Sequence, residues 1–151
     1  MANNTVPQGP SGVRCFDNIS WKRACKSGDP EQDYWYTTGA PHLAIAMQRR
    51  YGLTVVMLVD REVQQEYPEG YFPAIYHVFA MDTEGAVWDA KGRSTAEVLL
   101  ADFRGVQQPG FLEASDQDLI DRYMGNQRPF PMYEEALVVK ALQFMARKYK
   151  I

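Results

Sequence analysis

The chain has 151 residues, of which 46% are hydrophobic, 13% aromatic and 23% charged, and its formal net charge is −3. A domain of this length buries about 68–70% of the surface of its unfolded chain, so its core requires neither a disulfide nor a structural metal. The aromatic content excludes intrinsic disorder. The small acidic excess, with no basic stripe, argues against a dedicated nucleic-acid-binding protein.

The amino-terminal residues 1–12 are expected to form a flexible arm, followed by a single domain over residues 13–151. The arm is polar, contains Pro and Gly, and has no apolar segment typical of a secretory signal. The longest apolar run, Leu53–Val59, is far shorter than the roughly 20 residues that cross a bilayer. These features predict a cytoplasmic protein with no membrane segment.

Two cysteines, Cys15 and Cys25, precede the first clear helix. Both are expected to be free thiols in a reducing compartment, because their spacing matches no zinc motif. Three basic neighbours of Cys25 would favour its thiolate form: Lys22, Arg23 and Lys26.

The first clear helix is predicted to start around Pro41 and to end before Gly52. Thr38 or Gly39 is suited to the N-cap, and Pro41 fits the first turn because its missing N–H is not needed there. Gly52 is a typical C-cap residue. The preceding Ser27–Pro30 is typical of a turn.

A buried strand and a hairpin are predicted next. Leu53–Asp60 is continuously apolar apart from Thr54 and the final Asp60, which favours a strand covered on both faces. Ile75–Met81 alternates and leads into Asp82–Gly85, which suits a turn with Gly in the left-handed position. Ala86–Ala90 is then the partner strand, while residues 61–74 are predicted to form a surface loop.

The remainder of the chain is predicted to be mainly helical. Gly92 ends the hairpin, and Ser94–Glu97 resembles a capping box that starts a helix through about Phe103. The later elements are a loop over 105–114, a short helix from Ser115 or Asp116 to about Met124, and a final helix over Met132–Lys148. This order predicts an α+β domain with a small, mainly antiparallel sheet.

The predicted hairpin carries a histidine and a carboxylate that could act together. His77 and Phe79 share a face of the first strand, and the turn places residue 79 opposite about residue 89. Asp89 is then a diagonal neighbour of His77, within reach of a hydrogen bond of about 2.6–3.2 Å. Such a bond fixes the imidazole tautomer and raises its basicity, as a general base requires.

Four segments in a fixed order extend this pair into a longer pattern. They are Gly39–Ala46, Tyr51–Leu53, His77–Phe79 and Gly85–Gly92. The pattern covers about residues 38–92 and resembles the papain-like cysteine protease and transglutaminase-like superfamily, including its small bacterial and mobile-element members. The resemblance implies that fold, in which a helix begins at a nucleophilic Cys and a later hairpin carries His and then Asp or Asn. His77 would be the base and Asp89 the residue that orients it.

The chain departs from this family at the helix start, where Pro41 or His42 stands in place of the nucleophilic Cys. We therefore expect a catalytically degenerate protein that binds a protein partner, as an inhibitor or adaptor. The helix start is expected to face the His77 and Asp89 strands, with His42 or a neighbouring aromatic filling the space and leaving a shallow cleft. The predicted contact residues are Pro41, His42, Tyr34, Trp35 and Tyr36.

Two enzymatic alternatives use the same residues. A thiol-dependent hydrolase or acyl-transfer enzyme, acting on a peptide or glutamine-type amide, would use His77 and Asp89 with Cys25 or Cys15 as nucleophile. A metal-dependent hydrolase would use His42, His77 and Asp89 as two-His, one-carboxylate ligands. The favoured hypothesis involves no metal or other cofactor, and no phosphate-binding loop pattern occurs in the sequence.

Overall fold

The computed structural model describes residues 27–61, 75–124 and 130–151. Within these ranges, helices and an antiparallel sheet form an α+β architecture, which confirms the predicted fold class. The helices are α1 (Pro30–Tyr36), α2 (Ala40–Tyr51), α3 (Ala96–Ala101), α4 (Asp116–Tyr123) and α5 (Glu135–Tyr149). The strands are β1 (Thr54–Asp60), β2 (Ile75–Met81), β3 (Val87–Asp89), β4 (Gly92–Ser94) and β5 (Pro109–Ala114). The predicted arm over 1–12 and nearly all of the predicted loop over 61–74 lie outside the described residues.

The sheet has the strand order β4-β3-β2-β1-β5, and every neighbouring pair is antiparallel. β1 lies between β2 and β5, so that Val56 is paired with Phe79 on one side and Glu113 on the other. All of β1 after Thr54 is buried, as its continuous apolar run predicts. β1 and β2 thus form the centre of the sheet.

Helix α2 connects the sheet to the other helices. It packs against β1, β2 and α5, and it buries Leu43, Ile45 and Met47 in the same core as the α5 residue Phe144. Its ends match the prediction: Gly39 is the N-cap and Gly52 is the C-cap, with a left-handed φ of 72°. In the part of the chain that is described, no helix is long and apolar enough to cross a membrane.

Helix α1 is an element for which the sequence predicts only a preceding turn. The predicted turn at Ser27–Pro30 leads directly into it, because Asp29 accepts hydrogen bonds from the N–H groups of Glu31 and Gln32 at 3.1 and 3.4 Å. Pro30 occupies the first turn, where its missing N–H costs nothing. The turn residues are therefore the cap of a helix that the sequence analysis did not predict.

Two strands also differ from the prediction. Gly92 starts β4 instead of ending the hairpin, and residues 109–114, predicted to be loop, form β5 against β1. Pro109 and Gly110 at the start of β5 are residues that usually indicate a loop, yet Pro is tolerated at the first position of an edge strand. The alternation of apolar and polar residues in β5 is too short to predict a strand, and only its pairing with β1 reveals one.

Two helix starts are shifted from their predicted positions. Thr95, not Ser94, caps α3 by accepting the N–H of Val98 at 3.2 Å. Helix α5 begins at Glu135, three residues after the predicted Met132. Glu134 itself has extended backbone angles, and its N–H donates to the His42 side chain, so the helix starts only after it.

Candidate functional site

The predicted hairpin brings His77 and Asp89 together. Ala80 of β2 is paired with Trp88 of β3, so the same register places Asp89 opposite Phe79 and on the face that carries His77. The His77 Nε2 and Asp89 Oδ2 atoms are 3.2 Å apart. The predicted hydrogen bond between adjacent antiparallel strands is therefore confirmed.

Asp89 is fixed by the turn between β3 and β4 as well as by the histidine. Its Oδ1 atom accepts the backbone N–H of Lys91 at 2.9 Å, an interaction between residues two apart that is typical of Asp in tight turns. The turn then needs Gly92, whose φ is 94°. Because the carboxylate is also buried, it is held in one orientation relative to the imidazole.

The His77 ring is enclosed by aromatic side chains. Its side chain has 0% exposure, and the centroids of Tyr36, Phe103 and Phe79 lie 4.5, 5.2 and 5.9 Å from its own. In the tautomer whose Nε2–H donates to the Asp89 carboxylate, the lone pair of the ring is on Nδ1. Among the described residues, Nδ1 has no hydrogen-bond partner. Asp89 thus orients the imidazole, and the second ring nitrogen lies in a buried environment.

Tyr36 is itself held in place over the histidine. Its hydroxyl donates to Asp102 Oδ2 at 2.7 Å, and the Lys91 ammonium bonds to the same oxygen at 2.7 Å. The Lys91 Nζ also lies 4.5 Å from the centre of the Tyr36 ring. Burial, together with the carboxylates of Asp89 and Asp102, raises the pKa of Tyr36 well above 10, so it stays a neutral phenol.

His42 takes part in a different contact. Its Nε2 atom accepts the backbone N–H of Glu134 at 3.0 Å, and its ring stacks on Tyr133 with centroids 5.7 Å apart. Burial lowers the pKa of His42 to about 4, so the imidazole is neutral near pH 7. His42 therefore positions the segment before α5.

The three residues of the metal-dependent alternative, His42, His77 and Asp89, do not form a ligand group. His42 Nε2 already accepts a hydrogen bond from the Glu134 N–H. Within the described ranges, no group of three His, Cys, Asp or Glu side chains could hold a metal ion. The hypothesis of a His42, His77 and Asp89 ligand set is therefore abandoned.

The predicted contact surface is also largely wrong. Pro41, His42, Trp35 and Tyr36 are buried, and only Tyr34, with 37% exposure, is available at the surface. Trp35 contributes to the core beside Phe144. Trp35 and Tyr36, two of the three aromatic residues before α2, thus pack inside the domain.

Both predicted thiols, Cys15 and Cys25, lie outside the described residues, and so does the predicted distance from a cysteine sulfur to His77. Three contributors to the site were not predicted: Lys91 through its side chain, Asp102, and Tyr149, whose hydroxyl donates to the Ala90 carbonyl at 2.6 Å. Lys91 lies inside the quoted hairpin pattern, but nothing in the sequence links Asp102 or Tyr149 to it.

In comparisons with known proteins, no family model matches the chain, and neither does a curated protein or a solved structure. The function must therefore be inferred from the His77 environment and from the sequence pattern that surrounds it.

Proposed function

We propose that this chain is a catalytically degenerate domain of papain-like or transglutaminase-like type that acts by binding a protein partner, as an inhibitor or adaptor. The main support is the complete burial of the His77 imidazole behind Tyr36, whose ring centroid is 4.5 Å away. A general base must come within hydrogen-bond reach of the proton that it abstracts. A substrate would have to displace Tyr36, which Asp102 and Lys91 hold in position.

The start of α2 supports the same conclusion. Pro41 stands in its first turn, is buried, and has neither a nucleophilic atom nor a backbone N–H. In the family that the sequence resembles, this position would supply the attacking sulfur. The loss of one oxyanion donor alone typically lowers the rate about 100–1,000-fold. A helix that begins with Pro41 supplies neither a nucleophile nor an oxyanion donor at that position, and acyl transfer needs both.

One observation favours a thiol-dependent hydrolase or acyl-transfer enzyme as a second candidate. His77 Nε2 is bound to Asp89, while Nδ1 is buried without a hydrogen-bond partner among the described residues. In this alternative, the thiol of Cys25 or Cys15 gives its proton to Nδ1, and the sulfur attacks the amide carbon. The amine leaves with that proton, and water or another amine then cleaves the thioester.

Iodoacetamide labelling near neutral pH distinguishes the two functions. We expect Cys15 and Cys25, each measured in the Cys→Ser variant of the other, to react no faster than an ordinary thiol of pKa about 8.5. Adding His77→Gln or Asp89→Asn should leave the labelling rate of each cysteine unchanged. Urea unfolding verifies that each variant is folded. Rapid labelling of either cysteine that slows in both variants would contradict the proposal and support the enzyme.

A further inference from the structure

Strand β5 forms one edge of the described sheet. It pairs with β1 through the register Val55–Ala114 to Asp60–Pro109, and no other described strand lies beyond it. All of its residues keep some exposure to solvent, in contrast to β1. Alternate N–H and C=O groups of such a strand point away from the sheet and can pair with another chain.

A cleft of about 440 Å³ lies at the carboxyl end of this strand. It is formed where the end of α2, the start of β1 and the end of β5 meet, and its polar side chains are Gln48, Thr54, Glu113 and Ser115. This volume is within the range of about 300–1,000 Å³ that accommodates a small molecule or a large side chain. Glu113 and Ala114 of β5 belong to its lining, so the cleft borders the carboxyl end of this edge strand.

The charge of the cleft is negative. Glu113 is exposed, and among the described residues it makes no ion pair or side-chain hydrogen bond. The nearby Asp116 is already bound by Arg49 at 3.3 Å, so Arg49 cannot neutralise Glu113 without leaving that carboxylate. A cation, Arg61, packs over Gly110 near the other end of β5. Gly110 and Glu113 are three positions apart, which corresponds to roughly 10 Å of strand, about one Debye length.

We propose that the edge of β5, which no other described strand pairs with, and this cleft form a docking site for an extended segment of a partner protein, which adds to the sheet as a further strand and places a Lys or Arg side chain beside Glu113. Main-chain hydrogen bonds along the edge would provide affinity, and the cleft would provide specificity. This inference rests on the proposed partner-binding function and names its surface and the chemistry of the partner. The six residues of β5 offer roughly 20 Å of edge for this pairing.

Selection of random dodecapeptides displayed on phage, with the full chain as target, tests the site. We expect the enriched peptides to carry a basic residue within a segment of high strand propensity. A synthetic peptide from this set, followed by fluorescence anisotropy, should bind Glu113→Gln about three- to tenfold more weakly than wild type, the range set by a partly exposed ion pair and a charge-assisted hydrogen bond. N-methylation of alternate peptide amides should weaken binding further, because the ladder to β5 loses donors.

Glu97→Gln is the matched control, since Glu97 is an exposed acid on α3, next to β4 at the opposite edge of the sheet. Its affinity for the peptide should equal that of the wild type. The proposal is overturned by the absence of enrichment, or by peptides whose binding is indifferent to Glu113→Gln and to N-methylation. A dimer in sedimentation experiments that Glu113→Arg abolishes would assign the edge to a second copy and also overturn it. Thiol labelling does not depend on Glu113, so failure of the docking site and failure of the proposed function are distinguishable.

Discussion

Acidification is expected to destabilise the domain through His42. The hydrogen bond from the Glu134 N–H to His42 Nε2 requires an unprotonated nitrogen, and burial lowers the pKa of this histidine from 6.5 to about 4. The unfolded chain therefore takes up a proton at a higher pH than the folded protein does. The contribution of His42 to the free energy of unfolding is complete above pH 6.5 and is lost as the pH falls from 6.5 toward 4.

The size of the effect follows from the difference between the two pKa values. Each tenfold change in proton affinity is worth about 1.4 kcal/mol. At pH 5 protonation of His42 in the unfolded state should lower the free energy of unfolding by about 2 kcal/mol, and below pH 4 the loss should approach about 3 kcal/mol. This is a large part of the roughly 5–15 kcal/mol that stabilises a typical domain.

Urea unfolding of the wild type and of His42→Gln at pH 7 and pH 5 measures this contribution. The Gln side chain offers an amide oxygen to the Glu134 N–H but does not titrate, and the acidic groups common to both proteins cancel in the comparison. We expect the free energy of unfolding of wild type to fall by about 2 kcal/mol more than that of the variant between these pH values. Equal losses in the two proteins would refute the assignment of a low pKa to His42.

Two further pairs of substitutions test the turn and the cap beside the site. Gly92→Ala should cost more stability than Gly85→Ala: φ is positive at both, 94° and 81°, but only at Gly92 would the new Cβ meet a side chain, the Tyr149 ring at 3.1 Å. Thermal unfolding measures both, and equal losses would contradict the Tyr149 contact. Thr95→Ala should lower the free energy of unfolding by about 1 kcal/mol, and Ser94→Ala by much less, in urea titrations. The reverse order would contradict Thr95 as the cap of α3.

Sequence patterns predict the elements whose causes are local. Helix α2 has its Pro and Gly at the ends, β1 has a continuous apolar run, and β2 leads into a turn with Gly85 at a φ of 81°. The His77–Asp89 contact follows from the same short-range register, because the hairpin turn fixes which residues are opposite. These features need no knowledge of the rest of the chain.

The environment of the site depends on contacts that are distant in sequence. Tyr36 and Asp102 are 66 positions apart, and His42 and Glu134 are 92 apart. An aromatic residue next to a helix start is equally compatible with a cleft wall and with the core, and only the packing of Tyr36 on His77 decides between them. Likewise, nothing in the sequence around His42 indicates that its imidazole accepts a hydrogen bond from the Glu134 backbone.

The strand order has a consequence for how the domain assembles. β2, β3 and β4 are joined by short turns, whereas β5 reaches β1 only after residues 95–108 have carried the chain from one edge of the sheet to the other. Loop-closure entropy delays such non-local pairings, because a long segment must be ordered before any strand contact forms. We expect β2, β3 and β4 to pair before β5 joins the sheet, so that in pulse-labelling during refolding the amide protons of β5 gain protection after those of the other strands. The edge proposed to accept a partner strand is then the last part of the sheet to be ordered.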